Sequence, residues 1–166
     1  SATIVEQVAD DDTATFHIAM SGDALTGGNT ASVTLTMSGD AEDADFTAAV
    51  IQAVADAADA ANIAVSGQTL TSLVLTWDEN SDLAFDVDLT AVNDDFTDSP
   101  ESLTLTLSDQ AIDEGTASIT TAAATATILD NDADVSFAIT VASEDPANPV
   151  PDASATIVER SEEHTS

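Results

Sequence analysis

Apolar side chains recur at every second position through most of this chain, and an extended strand with one buried face is the element that uses this spacing. Ala14, Phe16, Ile18 and Met20 share one face of a strand over 13–20. Val33, Leu35 and Met37 share another over 31–38, opposite Ser32, Thr34, Thr36 and Ser38. Leu73, Leu75 and Trp77 mark a third stretch. Leu83, Phe85, Val87 and Leu89 oppose Asp86, Asp88 and Thr90 in a fourth. Leu103, Leu105 and Leu107 continue the pattern, Ala124, Ala126 and Ile128 follow, and Val135, Phe137, Ile139 and Val141 begin it again. Polar turns such as Ser21-Gly22-Asp23 and Asp78-Glu79-Asn80-Ser81 separate these runs. Short alternating strands divided by such turns predict an all-β, antiparallel, Ig-like sandwich of about seven strands.

One stretch breaks the alternation. Residues 47–61 hold no Gly or Pro and are rich in Ala, the best helix former. Val50, Val54, Ala57, Ala58 and Ala61 fall on one helical face, with Asp56 and Asp59 off it. The spacing predicts an inserted helix, capped by Asp45 or Thr47, that lies across an edge or end of one sheet.

Charge then excludes several function classes. The chain carries 32 acidic residues against one basic residue, Arg160, so residues 1–159 contain no Lys or Arg. Nucleic acid and anionic membrane are held by clusters of basic side chains, so neither is a partner here. No stretch is long and apolar enough to span a bilayer. So many acids must be solvated, screened by salt or neutralised by bound metal. Disorder is the competing outcome of so much charge, but the patterned apolar faces argue against it. With no Cys there is no disulfide framework and no thiolate metal site. Outside the tail there is one His and no Tyr, so nucleophile–base pairs and cationic oxyanion donors are missing, and the expectation is a non-enzyme.

Residues 1–6, Ser-Ala-Thr-Ile-Val-Glu, recur unchanged at 154–159. A period running from residue 1 to residue 154 is that of a whole domain. Residues 1–132 are therefore expected to form one sandwich repeat, which lacks a first strand at its N-terminus. Residues 133–159 start the next repeat, with a strand at 135–141 that in isolation would fold back into the vacant place. Residues 160–166, Arg-Ser-Glu-Glu-His-Thr-Ser, match the translation of a common sequencing adapter and are set aside as an artefact.

The densest acidic stretch is Asn93-Asp94-Asp95-Phe96-Thr97-Asp98-Ser99-Pro100-Glu101, a loop between two alternating strands. Like charges ~4 Å apart repel by ~4 kcal/mol at an effective dielectric of 20, so the loop is either well solvated or wrapped on a cation. Oxygen donors in an irregular loop suit Ca²⁺. The plain reading is that these acids are solvated turn residues. Against it, Glu6 ends an N-terminal strand, Asp43-Ala44-Asp45-Phe46 precedes the helix, and Asp130-Asn131-Asp132 follows the last strand of the repeat. All of these acids then fall at the same end of several strands. Asp10-Asp11-Asp12 reads as a polar hairpin turn, His17 as a surface strand residue and Trp77 as core or its rim.

The pattern resembles the Calx-β family. Its members have a Glu after the first strand, an Asp-aromatic pair after the third, an acidic loop ending in Glu before a Leu-rich strand, and a closing strand that ends in an Asp-rich triplet. Here these read as Glu6, Asp45-Phe46, Asn93 to Glu101 before Leu103-Thr-Leu-Thr-Leu107, and Ala126-Thr-Ile-Leu-Asp-Asn-Asp132. The resemblance covers most of residues 1–132. It implies a seven-stranded sandwich that binds Ca²⁺ at one end. The implied ligands are Glu6, Asp45, Asp94, Asp98, Glu101, Asp130, Asp132 and the main-chain carbonyl of Phe96. Asn93 and Asn131 stand where carboxylates are often found, and helix 47–61 has the look of an insertion. Fewer ions or weaker binding would follow.

A tandem array of such domains resembles the extender regions of large bacterial RTX adhesins exported by type I secretion. The expectation is then an extracellular or cell-surface repeat whose partners are the adjacent repeats of the same chain. Ca²⁺ at the junctions would give reach and rigidity. Two other readings fit the same residues: a domain that itself recognises a glycan or protein surface, and a halophile's secreted domain whose acids hold water and no specific metal.

Overall fold

The computed structural model describes residues 1–6, 11–93, 100–131 and 138–139. Among them lie eight strands and one α-helix, and residues 1–132 form one compact unit. The strands are β1 (Ala2–Val5), β2 (Thr13–Ala19), β3 (Ala31–Gly39), β4 (Ala64–Ser66), β5 (Ser72–Trp77), β6 (Ala84–Thr90), β7 (Glu101–Ile112) and β8 (Ala123–Leu129). They build a six-stranded sheet in the order β1-β8-β7-β3-β5-β4 and a two-stranded sheet of β2 and β6. The expected β-sandwich class is what forms, with one departure from pure antiparallel pairing. β1 runs parallel to β8, with Val5 beside Leu129, because the two strands enter the sheet edge from the same end.

Alternation becomes a core directly. Phe16 and Ile18 of β2, Phe85, Val87 and Leu89 of β6, Leu73, Leu75 and Trp77 of β5, and Leu103 and Leu105 of β7 are all buried. The outward residues of the small sheet are zipped across the ladder. Thr15 Oγ1 donates to Asp88 Oδ1 at 2.6 Å, and His17 Nδ1 lies 2.6 Å from Asp86 Oδ1 on the exposed face. Leu83, expected to share the face of Phe85, falls just outside β6 and is 56% exposed. The short strand β4, with three residues, left too little alternation to be seen in the sequence.

The inserted helix is α1 (Val50–Ala60), and its buried side chains are Val50, Ile51, Val54, Ala55 and Ala58. Asp56 and Asp59 face solvent, as the spacing predicts. The N-cap differs from expectation: Ala49 occupies that position and offers no side-chain cap. Asp43 does the work from a distance, its Oδ1 accepting from the Val50 amide at 2.8 Å. A carboxylate there satisfies an orphan donor and meets the positive end of the helix dipole. At the other end Asn62 takes a left-handed φ of 56°. The Ile63 amide reaches back to Ala58 O at 2.9 Å and the Asn62 amide to Asp59 O at 3.0 Å, a Schellman stop with Ile63 buried against the helix. α1 packs on β6 of the small sheet and on β4 and β5 of the large one, so it closes one flank of the sandwich.

Among the described residues no helix is long and apolar enough to cross a membrane. The expected strand at 135–141 falls outside the described residues except for Ala138 and Ile139, neither of which is in a strand.

Candidate functional site at the acidic pole

A ring of main-chain hydrogen bonds gathers the strand ends that carry the candidate acids. The Val5 amide donates to Asp11 O at 2.8 Å, and the Ala91 amide donates to Asp12 O at 2.8 Å. The turn at 11–12 therefore ties the end of β1 to the end of β6. From there the Val92 amide donates to Asp45 O at 2.9 Å, and Phe46 bridges to Ala91 with its ring buried. Coming from the same connection, the amides of Asp40 and Ala41 both donate to Ser102 O, at 2.9 and 3.1 Å. Ser102 pairs with Thr127 and Glu101 with Ile128, which carries the ring to β8. It closes where the Glu6 amide donates to Leu129 O at 3.1 Å and Asn131 Nδ2 donates to Glu6 O at 2.6 Å.

Four of the eight residues implied as ligands are described: Glu6, Asp45, Glu101 and Asp130. All four sit on this ring and all four are half-buried. Asp94, Phe96, Asp98 and Asp132 lie outside the described residues. Asp45 is held within a 3₁₀ turn, Asp43–Asp45, by a reciprocal box. Its Oδ2 accepts from the Glu42 amide at 2.6 Å, and the Glu42 side chain accepts from the Asp45 amide. Gly39, at a φ of 127°, lets β3 end against β7. A Cβ on it would meet Ser102 O at 1.9 Å. That glycine and the cap residue Asp43 belong to the site's scaffold; sequence reasoning placed Asp43 beside Asp45 but missed its capping role, and missed Gly39 altogether. A Gly directly before an Asp at a strand end was the available signal.

The donor set fits a hard cation. One carboxylate oxygen of Glu6 and the amide oxygen of Asn93 are buried at the pole, and the candidate side chains offer oxygen alone. No Lys or Arg exists in residues 1–159 to compensate them. Half-buried carboxylates need such compensation, since removing them from water is costly. Among the described residues, however, no three acid or histidine side chains come together closely enough to hold an ion. The ring brings strand ends to one pole; the described carboxylates do not themselves form a finished cage.

Two exposed acids elsewhere titrate below the ordinary carboxylate range. Asp78 is held down by the Asn80 amide and the Ser81 hydroxyl. Asp113 is held down by the hydroxyl and then the amide of Thr30, each 2.8 Å from its Oδ2. Both lie outside the ring and stabilise turns.

Among known proteins, no family model matches this chain, and no curated protein matches it. Solved structures do. The apo form of the Calx CBD1 domain aligns at 18% identity and a TM-score of 0.48, over 79% of this chain and 90% of that one. CBD12 from CALX1.2 aligns at 21% identity and a TM-score of 0.44, and the calcium binding domain CBD12 of CALX1.1 at 21% and 0.43. This chain spans about two fifths of each of those two, covering 41% and 42% of their lengths. These likenesses are distant, with every TM-score below 0.5.

Proposed function

We propose that this domain is a calcium-stiffened structural repeat, one link in the extender region of an extracellular adhesin. The observation that carries the reading is the closed ring of strand ends. It sets the half-buried Glu6, Asp45, Glu101 and Asp130 at one pole of a domain whose residues 1–159 contain no Lys or Arg. Those four would contribute ligands beside the further acids that the connection between β6 and β7 carries in its sequence, since the four alone do not form a cage. Bound Ca²⁺ would supply positive charge and bridge carboxylates that otherwise repel. The chain's own part is to fix the strand ends through main-chain bonds, so that cross-linking them resists extension and unfolding. The role is one of binding and mechanics and not of catalysis.

The recurrence of Ser1–Glu6 at 154–159 supports the tandem arrangement. Copies joined this way would place the triplet Asp130-Asn131-Asp132 of one repeat shortly before the next, where an ion would stiffen the junction.

The test is calorimetric titration with Ca²⁺ after chelation, beside Mg²⁺, with thermal denaturation in each state. One site at a hundredfold excess of ion over Kd adds about 2.7 kcal/mol of stability. Calcium is expected to raise the melting temperature well above the Mg²⁺ value, and Glu6→Gln or Glu101→Gln to reduce the gain. Equal effects of both ions, or none, would reduce the domain to a solvated polyanion. Stretching single molecules with and without chelator tests the mechanical role, which predicts a lower unfolding force once the ion is removed.

A further inference from the structure

The two flanks of the sandwich are closed differently. α1 covers the β6 side, whereas β2 pairs with β6 alone among the described residues and its other edge carries no partner strand. A two-stranded sheet is marginal by itself. An unblocked edge is also a template for another strand. Nothing on β2 blocks it: Thr13-Ala-Thr-Phe-His-Ile-Ala19 has no Pro, no Gly and no acid, in a chain of 32 acids. Beside that edge lies an open cleft of about 570 Å³, lined by β2, β3, β7, the turn after β2, the 114–122 connection, Trp77 of β5 and the start of β8, and by no residue of β6. Met20, Leu25, Val33, Leu107, Ile112 and Ile119 stand half-buried around it, apolar surface with incomplete cover.

We propose that this edge and cleft are a strand-acceptor site. In the tandem array, Val135–Val141 fills it on the repeat copy that begins at Ser154. The occupant follows from three observations. Val135, Phe137, Ile139 and Val141 alternate with Ser136, Ala138 and Thr140, so one face is apolar, and the segment, like β2, carries no acid to repel its neighbour. Ile139 is 97% exposed, a large apolar side chain in need of cover. Only the connection 142–153 separates this segment from the recurring Ser154–Glu159, so closure onto the copy that follows costs little chain entropy. Main-chain pairing would supply affinity, and the alternate side chains entering the cleft would supply specificity. Each repeat would then be completed by the strand that opens it just past the junction. The inference rests on the tandem-repeat part of the function proposed above and not on calcium.

The test extends the full chain by placing a second copy of residues 133–153 ahead of Ser1, in chelator and again in Ca²⁺. Hydrogen exchange of the β2 amides reports whether the edge is paired. The added segment is expected to slow their exchange by about tenfold or more. Phe137→Asp with Ile139→Asp in the added copy should abolish the gain. No slowing, or equal slowing with the broken copy, would overturn the site. A third arm makes the same double substitution in the chain without extension. That arm shows how much β2 protection comes from the chain's own segment folding back. The same double substitution in the chain's own copy is carried in the extended chains, so that slowing there is due to the added segment. A silent calcium titration with β2 protection intact would count against the ion reading alone.

Discussion

The side-chain amide of Asn131 donates to the main-chain oxygen of Glu6 at 2.6 Å, so the residue beyond β8 clasps the residue beyond β1. A carboxylate at 131 could not make that bond, because the Glu6 carbonyl accepts and an ionised Asp has nothing to donate. Asn131→Ala is therefore expected to cost about 1 kcal/mol in chelator. Asn131→Asp should cost more, about 1–3 kcal/mol, since it sets a charge against a carbonyl. Thermal denaturation of the two variants in chelator checks the order; Asp milder than Ala would contradict it.

Gly39 permits β3 to end against β7. Gly39→Ala puts a methyl 1.9 Å from Ser102 O at a φ of 127°. The backbone strain alone is worth about 1–3 kcal/mol, and the clash adds to it. Urea denaturation is expected to show a lower midpoint, and calcium affinity should fall as well, because Glu101 neighbours the displaced Ser102. Unchanged stability would mean that the pole tolerates a wider gap than its hydrogen bonds imply.

Asp43 caps α1 across the connection that follows β3. Asp43→Ala is expected to lose about 0.5–2 kcal/mol, as removal of a helix cap does. Asp43→Asn keeps an acceptor for the Val50 amide and should retain most of that stability. Denaturant titration with circular dichroism separates the two; equal losses would place the effect in the charge and not in the hydrogen bond.

The lowered pKa of Asp113 makes a pH prediction of definite sign. Its folded value lies below the ordinary 3.8 because Thr30 donates twice to the charged form. The stabilisation is complete above 3.8 and is lost as pH falls through the lower folded value. Asp113→Asn should flatten the acid limb of stability in that range, and Thr30→Val should act in the same direction by removing the hydroxyl. A fall of equal steepness in the Asn variant would assign the acid limb to other groups.

What the sequence disclosed depended on periodicity. The faces of β2, β3, β5, β6 and β8 were legible because Phe16, Leu35, Leu75, Val87 and Ala126 each sit in an alternating run whose buried members the sheet then uses. The parallel seating of β1 was not, since four residues, Ala2–Val5, carry no mark of direction. The cap on α1 was misjudged because a local rule favours the nearest polar side chain, whereas Asp43 reaches Val50 over seven positions through the turn that Phe46 anchors. Glu6, Asp45, Glu101 and Asp130 stand at strand ends in the sequence, but only the Calx-β resemblance names them as ligands. How the 11–12 turn ties β1 to β6 was not legible, because that link is made by backbone atoms that every residue shares.

The pole is stitched by amides and carbonyls, and most of its bonds would survive exchange of the side chains above them. In the proposed tandem array, sister copies would therefore be free to gain or lose carboxylates at these corners while keeping one backbone. A fibre built this way could grade its stiffness along its length, firm where acids are many and pliant where they are few.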